Sequence, residues 1–238
     1  MELSMLVRFS ICLVLSGFGF AHLNAQEQSV KPGINDTFRN PNVKEFVERF
    51  EGESREIFDK RNAVLKACDL KPGQAVADIG AGTGLYTRLF AQAVGEQGKV
   101  YAVDISQKFL DYIRETADKL GFKNIKTILG KDASPELAPN SVDVVFICDT
   151  YHHFEFPYKI MKEIHAAMKP GGKLIIIDFI RIPGQSREWV LNHVRAGQDL
   201  VEKEITQVGF TKNGEHKNIF KENYFIVFEK NKEKASGK

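Results

Sequence analysis

Short apolar runs rich in β-branched residues alternate along this chain with longer stretches whose apolar positions recur every three or four residues. That pattern predicts strands alternating with helices. Strands are expected at Val76 to Ile79, Lys99 to Val103, Lys126 to Leu129, Val142 to Cys148 and Lys173 to Asp178, with helices at Leu85 to Val94, Ser106 to Leu120, Tyr158 to Met168 and Gly197 to Val208. Alternation of this kind builds a parallel sheet covered by helices on both faces, and the nearly continuous apolar run Val142 to Cys148 reads as a central strand. Two further β runs, near His216 to Phe220 and Tyr224 to Glu229, are expected to close the sheet as an antiparallel hairpin. The fold class is therefore α/β, a doubly wound sheet of seven strands, mostly parallel.

Ahead of this unit the pattern changes. Residues 26–41 are polar and broken by Pro32, Gly33 and Pro41, which predicts an extended arm. Asn42 is placed to cap a helix from Val43 to Phe50, and a second helix is expected from Ser54 to Cys68, stopping at Asp69-Leu-Lys-Pro-Gly73. This pair is expected to lie across the ligand cleft, with Arg55, Asp59 and Arg61 within reach of a ligand.

The chemistry starts at the first strand, which reads Val-Ala-Asp-Ile-Gly-Ala-Gly-Thr-Gly from Val76 to Gly84. Glycine at 80, 82 and 84 lets a ligand lie against the backbone at a helix N-terminus. A dinucleotide fingerprint would need its third glycine at position 85, where this chain has Leu85. Asp78 would also oppose a pyrophosphate, whereas it suits a ligand carrying an ammonium. S-adenosylmethionine carries an ammonium and a sulfonium, and its carboxylate is expected to take the loop N–H groups. Asp104 closes the second strand about 20 positions beyond the first glycines, the place of a carboxylate that accepts from ribose hydroxyls.

Asp78-Ile-Gly-Ala-Gly-Thr-Gly84 resembles the first motif of the class I S-adenosylmethionine-dependent methyltransferases, and later segments match in order from residue 72 to residue 230. The resemblance implies a Rossmann-like fold and that cofactor, held by Asp78, Gly80, Ala81, Gly82 and Gly84. It also implies Asp104 on the ribose, Ile105 packed on the adenine, Asp132 accepting from the adenine amino group, and Ala133 giving its N–H to the ring. Asp132-Ala133, Ser141-Val-Asp143 and Lys169-Pro-Gly-Gly172 are similar to the branch typified by quinone-biosynthesis C-methyltransferases, which implies a small-molecule acceptor.

The fourth strand runs into Asp149-Thr-Tyr-His-His-Phe154, at the strand end where the crevice of an open sheet lies. Asp149, Tyr151, His152 and His153 are accordingly the candidate catalytic residues, the histidines as bases because imidazole titrates near neutrality. Asp149 is also a candidate for cofactor contact. Nucleic-acid N-methyltransferases often have Asn-Pro-Pro-Tyr or Asp-Pro-Pro-Tyr here, and this segment departs from that. Trp189 and His193, in a segment inserted after the fifth strand, are expected to cover the pocket or to form a small core.

The net charge of +2 gives no electrostatic footprint for nucleic acid. Arg8 precedes the apolar run Phe9 to Phe20 and the small residue Ala25, which reads as an export signal over residues 1–25. No membrane span is then expected in the mature chain. The organisation is thus a signal over 1–25, an arm and cap helices over 26–70, a methyltransferase domain over 71–230 and a basic tail over 231–238. After cleavage Cys68 and Cys148 remain and lack metal-ligand spacing, so they are expected as buried thiols, and no metal ligands are singled out. An exported noncatalytic or protein-modifying module that keeps the cofactor fold is the alternative, because the cofactor is made in the cytoplasm.

Overall fold

The computed structural model describes residues 27–52 and 55–231; the export signal at 1–25 and the tail from 232 onward lie outside the described residues. The strands are β1 Ala75–Ile79, β2 Lys99–Asp104, β3 Ile125–Leu129, β4 Val142–Cys148, β5 Met168–Phe179, β6 Phe210–Glu215 and β7 Asn223–Lys230. They form one sheet in the order β3-β2-β1-β4-β5-β7-β6, in which β1 to β5 are parallel and β7 runs antiparallel to both of its neighbours. Seven strands, mostly parallel with an antiparallel C-terminal pair, is the architecture expected from the pattern.

Period-two alternation divides the core between the two faces of the sheet. Val145, Ile147, Leu174 and Ile176 face one way and pack with Ile160, Met161 and Ile164 of α7 (Pro157–Ala167) and with Val201 and Ile205 of α9 (Gln198–Gln207). Val144, Phe146, Ile175 and Ile177 face the other way, against Tyr86, Phe90 and Val94 of α5 (Leu85–Val94) and Val64 and Cys68 of α4 (Arg61–Cys68). Both layers close over β4, so its residues have no polar alternation for a reader of the sequence to see. Helix α6 (Gln107–Lys119) packs over β2 and β3. Both described cysteines are free, and Cys68 is buried.

Several expectations are corrected. The arm holds a one-turn helix, α1 (Asp36–Arg39), and the second cap helix is split into α3 (Glu56–Asp59) and α4 by Lys60, whose ψ of 7° turns the chain. Asn42 does not cap α2 (Val43–Phe50) with its side chain; its amide nitrogen instead donates to Glu45 Oε1 at 2.6 Å. Strand β6 lies at Phe210–Glu215 and not at His216 to Phe220, because pairing with β7 begins at Phe210↔Lys230, directly after the α9 stop at Gly209. Strand β5 begins at Met168, five residues early, since Met168 pairs with Val142 across a bulge. The segment after β5 carries the short helix α8 (Glu188–His193).

Candidate active site

The C-terminal ends of β1, β2, β4 and β5 open onto a cavity of about 770 Å³, within the range of small-ligand sites. The cap forms its other wall through Phe38, Arg49, Phe50, Arg55 and Ile57. Four tethers hold the cap down. Arg39 donates to both oxygens of Asp132 at 2.8 and 2.9 Å, and Arg88 of α5 forks onto Glu51 at 2.8 and 2.9 Å. Arg55 pairs with Asp149, and Glu56 accepts the backbone N–H groups of Lys221 and Glu222 at 2.8 and 3.0 Å. Of the three charged cap residues expected near a ligand only Arg55 lines the cavity; Asp59 pairs with Lys60, and Arg61 lies over the Phe58 ring.

The glycine loop turns left-handed at Gly80, with φ of +73°. A Cβ there would stand 2.3 Å from Thr150 Cγ2, so the β1 and β4 strand ends can meet only because position 80 has no side chain. Four of the loop N–H groups expected to take a ligand carboxylate already have protein acceptors. Gly80 and Ala81 donate to Val103 O at 2.8 and 3.1 Å, Gly82 donates to Asp104 Oδ2 at 2.9 Å, and Gly84 donates to Ala81 O at 2.8 Å.

Those acids are unusual in their burial. Asp78 is 4% exposed, accepts from Thr87 Oγ1 at 2.6 Å, and is pushed up to about 7, first by desolvation, against the pull of the Thr87 bond. Asp104 accepts from the N–H groups of Gly82 and Ser106 and is pushed up to about 6, again first by burial. Asp149 has φ of +47°, strain that aspartate tolerates, and is held between Arg55 and the Asn223 amide at 2.6 Å. Burial raises its pKa in spite of Arg55. Asp132 lines the same cavity. Two carboxylates whose charge is disfavoured by desolvation call for a cation, and a ligand bearing an ammonium and a sulfonium supplies one. These residues fit S-adenosylmethionine.

The second cluster is aromatic. His152 Nδ1 lies 2.7 Å from Asp178 Oδ1, and Asp178 also accepts the N–H groups of His152 and Phe179. A carboxylate accepting three bonds assigns the proton to Nδ1 and leaves Nε2 as the free lone pair. Around it stand His153, His193, Phe179 and Trp189, the last stacked on His193 at 4.8 Å between centroids. Burial lowers His153 to about 2 and His193 to about 4, so both are neutral at pH 7.

Of the residues expected in the site, Asp78, Gly80, Ala81, Gly82, Asp104, Ile105, Asp132, Asp149, His152 and His153 line the cavity. Gly84, Ala133 and Tyr151 do not. Gly84 stands against Ile113, and Tyr151 is fully buried with its hydroxyl on Glu204 at 3.0 Å, in the core and away from any acceptor. Asp178, Asn223, Phe38 and Phe179 were missed. Asp178 alone left a trace, as an acid ending an apolar strand like Asp78 and Asp104.

An open doubly wound sheet with acids at three successive strand ends and a glycine turn after the first defines a class I S-adenosylmethionine-dependent methyltransferase fold. Residues 70–224 match the methyltransferase domain family, and the chain belongs to it. A demethylmenaquinone methyltransferase from Bacillus mycoides is 31% identical over 118 residues, 50% of each chain, and one from Bacillus cereus is 30% identical over the same extent. The chain thus spans about half the length of the curated relatives it matches. A crystallised SAM-dependent methyltransferase from Aquifex aeolicus superposes with a TM-score of 0.70 at 27% identity, covering 80% of this chain and 99% of that one. The [4+2]-cyclase SpnF shares the fold, with a TM-score of 0.64 at 13% identity over 74% of this chain and 81% of that one. The cofactor indicated by the family and its structural neighbours is S-adenosylmethionine.

Proposed function

We propose that this protein transfers a methyl group from S-adenosylmethionine to a small, planar, aromatic or quinone-like acceptor. The observation that carries the reading is the division of one cavity into an acidic cluster and an aromatic histidine cluster. Asp78, Asp104, Asp132 and Asp149 suit the cationic cofactor, with Asp104 toward the ribose and Asp132 toward the adenine. His152, His153, Phe179, Trp189 and His193 offer ring faces to an acceptor. The demethylmenaquinone methyltransferase relatives support a small ring acceptor. Among the described residues no helix is long and apolar enough to cross a membrane.

When bound, the cofactor supplies an electrophilic methyl group on a good leaving group, so the protein mainly has to align its two ligands. Asp149, pinned by Arg55 and Asn223, orients the cofactor between the two clusters. Phe50, lying under Arg55, forms part of the apolar wall on the cap side of the cavity. Where the acceptor carries a proton at its nucleophilic atom, that proton has to leave before or during transfer, on the side of the cavity lined by the neutral imidazoles.

Isothermal titration with S-adenosylmethionine and S-adenosylhomocysteine tests the reading. Micromolar binding of both is expected, weakened by about 1 to 3 kcal/mol in Asp104→Ala through lost hydrogen bonds to a charged group. A folded protein that binds neither compound overturns it.

A further inference from the structure

His152 and His153 adjoin in sequence, and His193 arrives from α8, 40 residues downstream, so that one ring nitrogen from each lies within 4.8 Å of the others. We infer that these three imidazoles form a binding site for a divalent transition metal such as Zn²⁺ at the acceptor end of the cavity. It deepens the methyl-transfer reading and uses the same cavity.

Four observations point to a metal. Two imidazole nitrogens on a tetrahedral zinc, each ~2.0–2.1 Å from it, stand about 3.3 Å apart, and His153 Nε2 and His193 Nε2 are 3.3 Å apart. His152 is braced at Nδ1 by Asp178, the carboxylate–imidazole arrangement that fixes the tautomer of a ligating histidine and leaves Nε2 to ligate. The polar atoms of the His153 ring find no other partner: the ring packs edge-on against Phe38, its Nδ1 is buried without a hydrogen-bond partner, and its Nε2 meets His193. Finally, all three rings line the cavity, so three protein nitrogens leave an open position facing the ligand space, as in catalytic zinc sites.

The donor set selects the kind of ion. Three imidazole nitrogens do not suit Mg²⁺ or Ca²⁺, which require oxygen donors. They suit borderline ions held through imidazole lone pairs. At the open position an acceptor hydroxyl would coordinate through oxygen and release its proton to water, leaving the nucleophile as the metal-bound oxygen anion. The methyl group would then pass from the sulfonium to that oxygen, the carbon–sulfur bond breaking to leave S-adenosylhomocysteine.

The test uses the full, tag-free chain stripped with chelator. Titration with Zn²⁺ should show one site at micromolar affinity or tighter, and Co²⁺ should give visible d–d bands without a thiolate charge-transfer band. His193→Ala and His153→Ala should each weaken Zn²⁺ binding at least 100-fold, while His216→Ala leaves it unchanged. All three variants should still bind S-adenosylhomocysteine, which reports that the fold and the cofactor site are intact. A protein that binds S-adenosylhomocysteine but no Zn²⁺, or whose Zn²⁺ affinity survives His193→Ala, overturns the metal site and leaves the methyl-transfer reading standing. Loss of S-adenosylhomocysteine binding by the unsubstituted protein overturns that reading separately.

Discussion

Asp78 and Asp104 give the cavity a proton stock that a cofactor must displace. Both carboxyls sit above the ordinary aspartate value, at about 7 and about 6, while the unfolded chain titrates near ~3.9. Between those values the folded state holds protons that the unfolded chain has released. Stability of the ligand-free protein therefore falls as pH rises from about 4 to about 7. A cationic ligand favours the ionised carboxylates, so binding expels protons at pH 6, and affinity rises with pH until it passes the Asp78 value of about 7. Titration of S-adenosylhomocysteine, whose ammonium remains, in two buffers of different ionisation enthalpy should report that release, and Asp78→Asn should flatten the slope. Equal heats in both buffers at pH 6 would remove the linkage. These residues were legible because an acid at the end of an apolar strand is conspicuous. Their burial was not, because it depends on the cap helices that close over them. Tyr151 shows the opposite failure: it sits beside His152 in sequence, but the one-turn 3₁₀ helix at Tyr151–His153 sends its ring into the core.

At the scale of elements, the β1–α5 turn and the end of β4 are fitted to each other through Gly80 and Thr150. Gly80→Ala would place a methyl group inside the Thr150 side chain and hold alanine at a left-handed φ that alone costs about 1–2 kcal/mol. Urea unfolding should show a loss of about 2 kcal/mol or more, with part of it recovered in the Gly80→Ala, Thr150→Ala double variant because the γ atoms nearest the new methyl are gone. Additive losses would show that Thr150 is not the obstacle. Element boundaries were legible where burial is two-sided, as at β1 and β4, or strongly periodic, as at α2 and α5. β6 was misplaced because Thr211 to Gly214 are all exposed and offer no alternation; only Phe210 is buried. The histidine cluster was invisible for a different reason. Its third member comes from another element, and no spacing in the sequence announces a contact that the turn after β4 and α8 create between them.

At the scale of the whole molecule, the cap and the sheet form one cavity, since its walls draw on residues from Asn35 to Asn223. We propose that residues 1–25 are removed on export, on the strength of the apolar run after Arg8 and of Ala25. N-terminal sequencing of the natively expressed protein should then begin near Gln26, and an intact Met1 on soluble protein from the cytosol would overturn that proposal. Strand β7 has a bearing on how such a chain is made. Asn223–Lys230 is threaded between β5 and β6, with Phe225, Ile226 and Phe228 fully buried. The run Leu174 to Ile177 must therefore leave the ribosome about 50 residues before its partner strand does, a delay of several seconds at ~5–20 residues per second. Throughout that interval the nascent polypeptide presents an apolar edge with no neighbour, the kind of segment that recruits a holding chaperone. Late completion of the sheet would keep the polypeptide slack enough to be threaded through a translocation channel.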